Sequence, residues 1–323
     1  MKTTSTTNGT TITTHSDDID TFVWTHPEKF GATNLSGETG KPLLPAIKLP
    51  SSSPSTVYRM PSTVHRNNML RIVKYVLYDI LQNRIVIGYT LFLLAVSFGL
   101  FNLSDDPTKG LVSLLNIALI VTPLVSIVFA TIHFYNSYEF IELLAAQPIR
   151  RSVIVWSQFI GLALALTLAI LVGIGIPIAL FAPNGIGLSL LAATVGLTVV
   201  FVSIALLASV ATRDKAKGIG VALLLWFYFS LLYDALVLFL MFAFADYPLE
   251  KAMLAFVSLN PIDLARVVVL LQMDISALMG YTGALFREFL GTGWGIAFAT
   301  AVLLLWASIP MLLAVRIFRK KDL

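Results

Sequence analysis

The sequence predicts an all-α integral membrane protein with six transmembrane helices, on three observations. Hydrophobic residues make up 57% of the 323 residues and charged residues only 12%, whereas about a quarter of a soluble domain is charged. Mean hydropathy is +0.84. Six apolar runs reach or approach the roughly 20 residues that a helix needs to cross a bilayer. These predicted spans are Ile85–Leu103, Leu111–Phe134, Val153–Phe181, Leu188–Ala211, Ile219–Ala245 and Trp294–Ile317.

Basic residues indicate which side of the membrane each loop faces. On one side, two short loops carry a single basic residue, Lys109. The positive-inside rule therefore predicts that both termini lie in the cytoplasm. The chain has no cysteine, which excludes disulfides and thiolate metal sites. The basic residues of the predicted cytoplasmic side are Arg71, Lys74, Arg84, Arg150, Arg151, Arg213, Lys215, Lys217, Arg316, Arg319, Lys320 and Lys321.

Two regions of different composition are predicted. Residues 1–67 are rich in serine, threonine and proline and show no sustained helical or strand period. Such a segment cannot bury enough apolar surface to offset its ordering entropy, so it is predicted to be a disordered cytoplasmic tail. Residues 68–323 form the predicted six-span domain. An alternative is that Met69 is the native start and the tail does not belong to the protein.

An amphipathic helix is predicted over Met69–Arg84, ahead of the first span. Its apolar residues recur at helical spacing, and Arg71, Lys74 and Asp79 fall largely on the other side. We expect this helix to lie in the cytoplasmic interface of the membrane. The apolar residues are Ile72, Val73, Val76, Leu77, Ile80 and Leu81.

The cytoplasmic link Tyr135–Ser152 is predicted to contain a short helix that ends before a proline. A helix held between two spans, with carboxylates on its surface, suits docking of a soluble partner; the alternative is a simple interfacial turn. The next cytoplasmic loop is charged throughout, and it either flanks the docking helix or only anchors the spans. The candidate docking residues are Tyr138, Glu139, Glu142, Pro148, Arg213, Asp214 and Lys215.

A helical hairpin is predicted on the outer side before the last span. Lys251–Leu259 and Pro261–Leu271 read as short helices that are separated at Asn260. Asparagine is a good N-cap, and proline fits the first helical position. Asp263 complements the positive helix end and, three residues from Arg266, could pair with it.

Asp234 is predicted to lie near the middle of the fifth span. An ionisable group at that depth is costly and usually faces a bundle interior or a wet cavity. One hypothesis is a carboxylate that lines a cavity or gates it. The alternatives are a structural acid that a tyrosine hydroxyl such as Tyr228 satisfies, or a residue closer to the outer interface.

Other chemistries lack the residues that they need. His133 and the outer methionines show no tight copper-ligand spacing, and Gly37–Pro42 lacks the first glycine and the Ser or Thr of a phosphate-binding loop. There is no zinc-hydrolase motif and no nucleophile elbow. We therefore predict no catalytic residue, no metal site, no cofactor bound by this chain and no nucleic-acid partner.

The layout of helices resembles an ABC-2-type ABC transporter permease. Within that family it is most similar to the NosY permeases of the system that matures nitrous-oxide reductase. The resemblance covers roughly Met69–Leu323. The segments that carry it are Leu259–Arg266, Ala314–Lys321, Glu142–Gly161 with its central Pro148, and Leu225-Trp226-Phe227 followed by Asp234.

The resemblance implies a non-catalytic subunit of a bacterial inner membrane. It would pair with a second copy of itself and with NosF-like ATPase subunits that bind ATP and Mg²⁺. A NosD-like periplasmic protein would bind the outer hairpin, at Asn260, Pro261, Asp263 and Arg266. The function implied is coupling of ATP hydrolysis to copper-site maturation of nitrous-oxide reductase.

Two other functions stay open from the sequence. An ABC-2 exporter permease for a lipid, drug or polysaccharide would share the same layout. An ion-coupled secondary carrier would need more intramembrane ionisable residues than Asp234, and an inverted repeat, which is not detected.

Overall fold

The computed structural model describes residues 3–7, 10–14, 62–146, 149–244, 250–273 and 293–320. Side chains are described from Met69 onward within those ranges, except for residues 250–254 and 293–294. The chain divides into two compact units, Met1–Tyr58 and Arg59–Leu323.

In the first unit, strands β1 (Thr3–Thr7) and β2 (Thr10–Thr14) pair antiparallel, with Thr3 opposite Thr14. This hairpin differs from the disordered tail that the sequence predicts for these residues. The reason is visible in the sequence, since β-branched threonines favour strands and the two residues between the strands are Asn8-Gly9, a strong hairpin signal. The remainder of the predicted tail, up to residue 61, lies outside the described residues.

The described part of the second unit is entirely helical. Two of its spans contain a π-helical turn, at Leu171–Gly175 between α5 and α6 and at Tyr228–Leu232 between α8 and α9. The helices are α1 (Ser62–Leu81), α2 (Arg84–Leu103), α3 (Pro107–Asn136), α4 (Tyr138–Ala145), α5 (Arg151–Ile170), α6 (Ile176–Phe181), α7 (Gly185–Ala211), α8 (Lys215–Phe227), α9 (Tyr233–Ala243), α10 (Glu250–Leu259), α11 (Pro261–Leu271) and α12 (Gly293–Lys320).

The predicted all-α membrane fold with six spans is confirmed. Spans one to six are Arg84–Leu103, Pro107–Asn136, Arg151–Phe181, Gly185–Ala211, Lys215–Ala243 and Gly295–Lys320. The helix pair ahead of the last span is also present, as α10 and α11.

Two predicted boundaries change. Helix α1 begins at Ser62, inside the predicted tail, and ends at Leu81 instead of Arg84. The end moves because Asn83 caps α2, and its side-chain oxygen accepts a hydrogen bond from the amide of Ile85 at 2.9 Å. A side-chain cap of this kind satisfies an otherwise unpaired amide at a helix start.

Span four, helix α7, forms the centre of the bundle. In span four, 67% of the most apolar 18-residue stretch is buried inside the protein, whereas in span five only 11% of the corresponding stretch is buried. Helices α3 and α12 pack along it, and α5, α8 and α11 contact it as well. Its buried side chains include Phe201, Leu190 and Leu197. Span five is therefore the least buried of the six, and it contacts the core through residues such as Ala222 and Phe229, which are buried.

Helix α1 packs closely on α5, with Ile72, Val76 and Ile80 buried against the bundle. Gly161 of α5 permits this approach, because a Cβ atom at that position would lie 2.5 Å from a methyl carbon of Val76. Arg71, Lys74 and Asp79 are exposed. The predicted amphipathic pattern of α1 is therefore confirmed, and its placement along the membrane surface stays a prediction.

Candidate functional site

Polar and charged residues gather at two places along span five. At its first residue, Lys215, the chain contacts the end of span two. Asp234 lies 19 residues later, which corresponds to about 28 Å of helix and nearly to the thickness of a hydrocarbon core. We call the first region the link surface (α4 and residues 212–215) and the second the hairpin cluster (Asp234, Asn260, Asp263 and Arg266).

On the link surface, α4 presents its carboxylates outward. Glu139 and Glu142 are exposed, whereas Ile141 and Leu144 are buried against the bundle. The aromatic ring of Phe140 lies 5.0 Å from that of Tyr75 in α1, measured between centroids. Leu143 is also exposed, at 68%. The helix is thus anchored on one face and offers an acidic face with one apolar side chain on the other.

The loop between α7 and α8 is fixed by hydrogen bonds to the end of α3. The Lys215 ammonium donates to the Asn136 side-chain oxygen at 2.8 Å. The Tyr135 hydroxyl lies within hydrogen-bond distance of the carbonyl oxygens of Ser209 and Thr212, at 3.3 and 3.4 Å. It also contacts the hydroxyl of Thr212. These bonds join spans two, four and five at one end of the bundle.

Of the docking residues that the sequence predicts, the structure brings six to this end. Tyr138 is half-buried, and the charged ones, Glu139, Glu142, Arg213, Asp214 and Lys215, are exposed. Asp214 also caps α8, since its carboxylate accepts from the amide of Ala216 at 2.8 Å. Pro148 lies outside the described residues. The docking role itself stays a prediction.

Tyr135 and Gly218 are in contact, and the sequence alone does not predict this contact. A Cβ atom at Gly218 would overlap the hydroxyl and ring carbons of Tyr135. Helix α8 therefore begins as close to α3 as a glycine allows. The only available signal was the small residue near a span end, which is typical of close helix packing.

At the hairpin cluster, one guanidinium joins two carboxylates. Nη1 of Arg266 donates to Oδ2 of Asp234 and to Oδ1 of Asp263, each at 3.1 Å. The side chains of Arg266 and Asp234 are each 33% exposed, and that of Asp263 is 14% exposed. The pairing of Asp263 with Arg266, three residues apart, is confirmed.

Asp234 lies in the second half of span five, nine residues before its last residue, Ala243. It pairs with Arg266 and not with the hydroxyl of Tyr228, which was one of the alternatives. Its depth in the membrane stays a prediction. The sequence predicts Asp234 and the hairpin as two separate candidate sites, and the structure brings them into one cluster. The missing signal was the spatial proximity of α9 and α11, which sequence spacing cannot supply.

Asn260 connects the hairpin to the π-helical turn of span five. Its side-chain oxygen accepts from the amide of Ile262 at 3.0 Å, which caps α11. Its Nδ2 donates to the carbonyl of Phe229 and to Oδ2 of Asp263, each at 2.9 Å. A π turn interrupts the regular α-helical ladder, and here a buried side chain bonds to one of its carbonyl groups. Asn260 and Pro261 are both buried.

Two further hydrogen bonds attach α10 to the neighbouring spans. The Tyr233 hydroxyl donates to the carbonyl of Phe256 at 2.7 Å. The indole nitrogen of Trp306, in span six, donates to the carbonyl of Ser258 at 3.1 Å. The hairpin is thus bonded to both spans that flank it.

The surroundings of Asp263 raise its pKa above that of an ordinary aspartate. Burial, followed by the adjacent Asp234 carboxylate, raises the pKa of Asp263 to about 7, against the opposing effects of Arg266 and Asn260. Both carboxylates share one guanidinium, so the cluster holds more negative than positive charge when both are ionised. It is an ion-paired joint between helices. Among the described residues, no group of three or more histidine, cysteine, aspartate or glutamate side chains could hold a metal ion.

Comparison with known proteins agrees with this architecture. The family model described as "ABC-2 family transporter protein" matches residues 101–323, which is more than half of the chain. No curated protein matches the chain. The matched region contains α4, the link surface, the hairpin cluster and span six. The chain therefore belongs to the ABC-2 family of transporter proteins and is the membrane permease subunit of an ABC transporter.

Proposed function

We propose that this permease transmits motion from a separate ABC ATPase at the link surface to the hairpin cluster further along span five. The observation that carries the proposal is that span five is bonded to neighbouring helices at both of these places. Lys215 bonds to Asn136 at its start, and Asp234 bonds to Arg266 about 28 Å further along. A displacement of the link surface would therefore move the hairpin.

The acidic face of α4 is the proposed contact with the ATPase. Glu139 and Glu142 are exposed on a helix whose opposite face is anchored by Ile141 and Leu144. Charges of this kind act through complementary charges on a partner surface. In this proposal, both termini and the link surface face the cytoplasm, as the positive-inside rule predicts, and the hairpin faces the outside.

Charge reversal at the two carboxylates tests the docking surface. In the double variant Glu139→Arg and Glu142→Arg, we expect the ABC ATPase that co-purifies with the tagged chain to be lost. ATP turnover in proteoliposomes should then fall to that of the ATPase alone. The matched control is Asp79→Arg with Asp105→Arg, which reverses the same number of exposed charges elsewhere. Equal ATPase recovery from both double variants would refute docking at α4.

For the biological role of the permease, we propose what the NosY resemblance implies, which is copper-site maturation of nitrous-oxide reductase. In this assembly two copies of the chain pair with NosF-like ATPases, and a NosD-like periplasmic protein binds the hairpin around Asn260, Pro261, Asp263 and Arg266. Supporting it is the hairpin itself, an ordered helix pair bonded to spans five and six. Leu259 is 55% exposed at its turn and is available to such a partner.

The second candidate is an ABC-2 exporter permease for a lipid, drug or polysaccharide. Deleting the gene in the native host distinguishes the two, because the first predicts nitrous-oxide reductase that lacks its copper centre. A deletion strain whose reductase keeps full copper content would contradict the maturation role. An ion-coupled carrier is disfavoured, since the carboxylate that it would use, Asp234, is ion-paired with Arg266.

A further inference from the structure

Basic side chains from two separate helices gather at one end of the bundle. Two stand at the start of α5 and three at the end of α12, and these two helices pack against each other. On α12 they are spaced three and four residues apart, so they share one face. The five residues are Arg150, Arg151, Arg316, Arg319 and Lys320.

These side chains line two adjoining clefts, which together we call the basic cleft. One, of about 420 Å³, is lined by Arg150, Arg151, Ser152 and Arg319. The other, of about 580 Å³, is lined by Arg316, Ile317, Arg319 and Lys320. Arg319 belongs to both. Among the described residues that line them, no side chain is acidic.

The position of the basic cleft indicates which class of ligand it could bind. Arg151 is the first residue of span three and Lys320 the last of span six, so the cleft lies where the apolar part of the bundle ends. Lipid headgroups lie at that depth, and basic pockets between transmembrane helices bind phosphate-bearing headgroups. Ile317 adds an apolar side chain, 39% exposed, next to the charged ones. Arginine binds phosphate through two parallel N–H donors.

We infer that the basic cleft binds the phosphate of an anionic phospholipid, with Arg150 and Arg319 on either side of it and the acyl chains along the bundle. The shared chemistry is a phosphate group, which free phosphate could also supply. The place of the cleft at the end of two spans favours the lipid. Nothing in this inference depends on the cargo or on the docking of the ATPase.

Native mass spectrometry of the purified full chain in detergent, titrated with phosphatidylglycerol, tests the inference. We expect one tightly bound lipid per chain. In the double variant Arg150→Gln and Arg319→Gln, the Kd for this lipid should rise about thirtyfold. Each basic side chain near an anionic headgroup contributes about 1 kcal/mol, and the loss of two corresponds to about 2 kcal/mol of binding free energy. The control, Arg213→Gln with Lys217→Gln, removes the same charge from exposed loop and helix-start positions. It should change Kd by about threefold or less.

Four results would overturn the inference. The first is an unchanged Kd in the Gln double variant, and the second is phosphatidylcholine binding as tightly as phosphatidylglycerol. The third is inorganic phosphate displacing the lipid with a comparable Kd, which would make free phosphate the ligand. Since loss of positive charge can disturb membrane insertion, Arg150→Lys with Arg319→Lys serves as a second variant. It keeps the charge but loses the guanidinium fork, so a wild-type Kd there would also overturn the inference.

Discussion

Removing the guanidinium of Arg266 tests whether the hairpin cluster is a structural joint. In Arg266→Met, two carboxylates lose the donor that each holds at 3.1 Å. Fully exposed pairs contribute about 0.2–1 kcal/mol, and removing one partner of a buried pair costs about 3–5 kcal/mol. Because the Arg266 and Asp234 side chains are one-third exposed, we expect a loss of about 2 kcal/mol in the free energy of unfolding.

The assay is unfolding of the purified chain in mixed micelles, followed by tryptophan fluorescence. Trp306 is a suitable reporter, since it bonds to the hairpin at Ser258. The matched control is Arg213→Met, the same substitution at an exposed loop position. There we expect a change within about 0.5 kcal/mol.

A double-mutant cycle assigns the effect to the ion pair. In the background Asp234→Asn, Arg266→Met should cost about 1 kcal/mol less than in the wild type, because one of its two pairs is already gone. The reasoning is wrong if Arg266→Met is as stable as the wild type. It is equally wrong if the loss is the same in both backgrounds, since the side chain would then act through packing alone.

Two other perturbations follow from the same structure. In the same unfolding assay, Gly218→Ala should lower the free energy of unfolding by about 1–3 kcal/mol, because the new Cβ overpacks against Tyr135. Gly220→Ala is the control, since no atom lies within 4 Å of its new Cβ, and it should cost nothing. Equal stabilities of the two variants would contradict the contact between Gly218 and Tyr135. Burial and the Asp234 carboxylate raise the pKa of Asp263 to about 7, above the roughly 3.9 of an unfolded aspartate. The folded state therefore binds more protons in that window, and stability should fall as pH rises from about 4 to about 7. Asp263→Asn should reduce this slope, and an unchanged slope would contradict the assignment.

Local signals predicted much of the fold around the candidate site. The break between α10 and α11 falls at Asn260 as predicted, because an asparagine cap followed by proline acts within a few residues. The pairing of Asp263 with Arg266 follows from helical spacing alone.

The contacts that make the candidate site were beyond the reach of local signals. For Asp234 the sequence offers a tyrosine hydroxyl such as Tyr228 as an alternative partner, whereas the structure pairs it with Arg266, 32 residues away. The hydrogen bond from the Asn260 side chain to the Phe229 carbonyl depends on a π-helical turn, which no residue pattern in the sequence predicts. At the N-terminus, the low apolar content of the threonine-rich tail predicts disorder, whereas Thr3–Thr7 and Thr10–Thr14 pair as strands on either side of Asn8-Gly9.

By itself, the sequence determined the number of spans, the helical class and the short capped helices. Bilayer thickness and local hydrogen bonding act on consecutive residues, so these features can be read along the chain. Only the tertiary structure decided that Asp234 and the hairpin form one cluster, that Tyr135 fixes the loop at Thr212, and that α7 is the centre of the bundle. In a membrane, every span is apolar on all sides, so hydrophobicity cannot tell which faces meet; close packing and a few interhelical polar bonds make that choice.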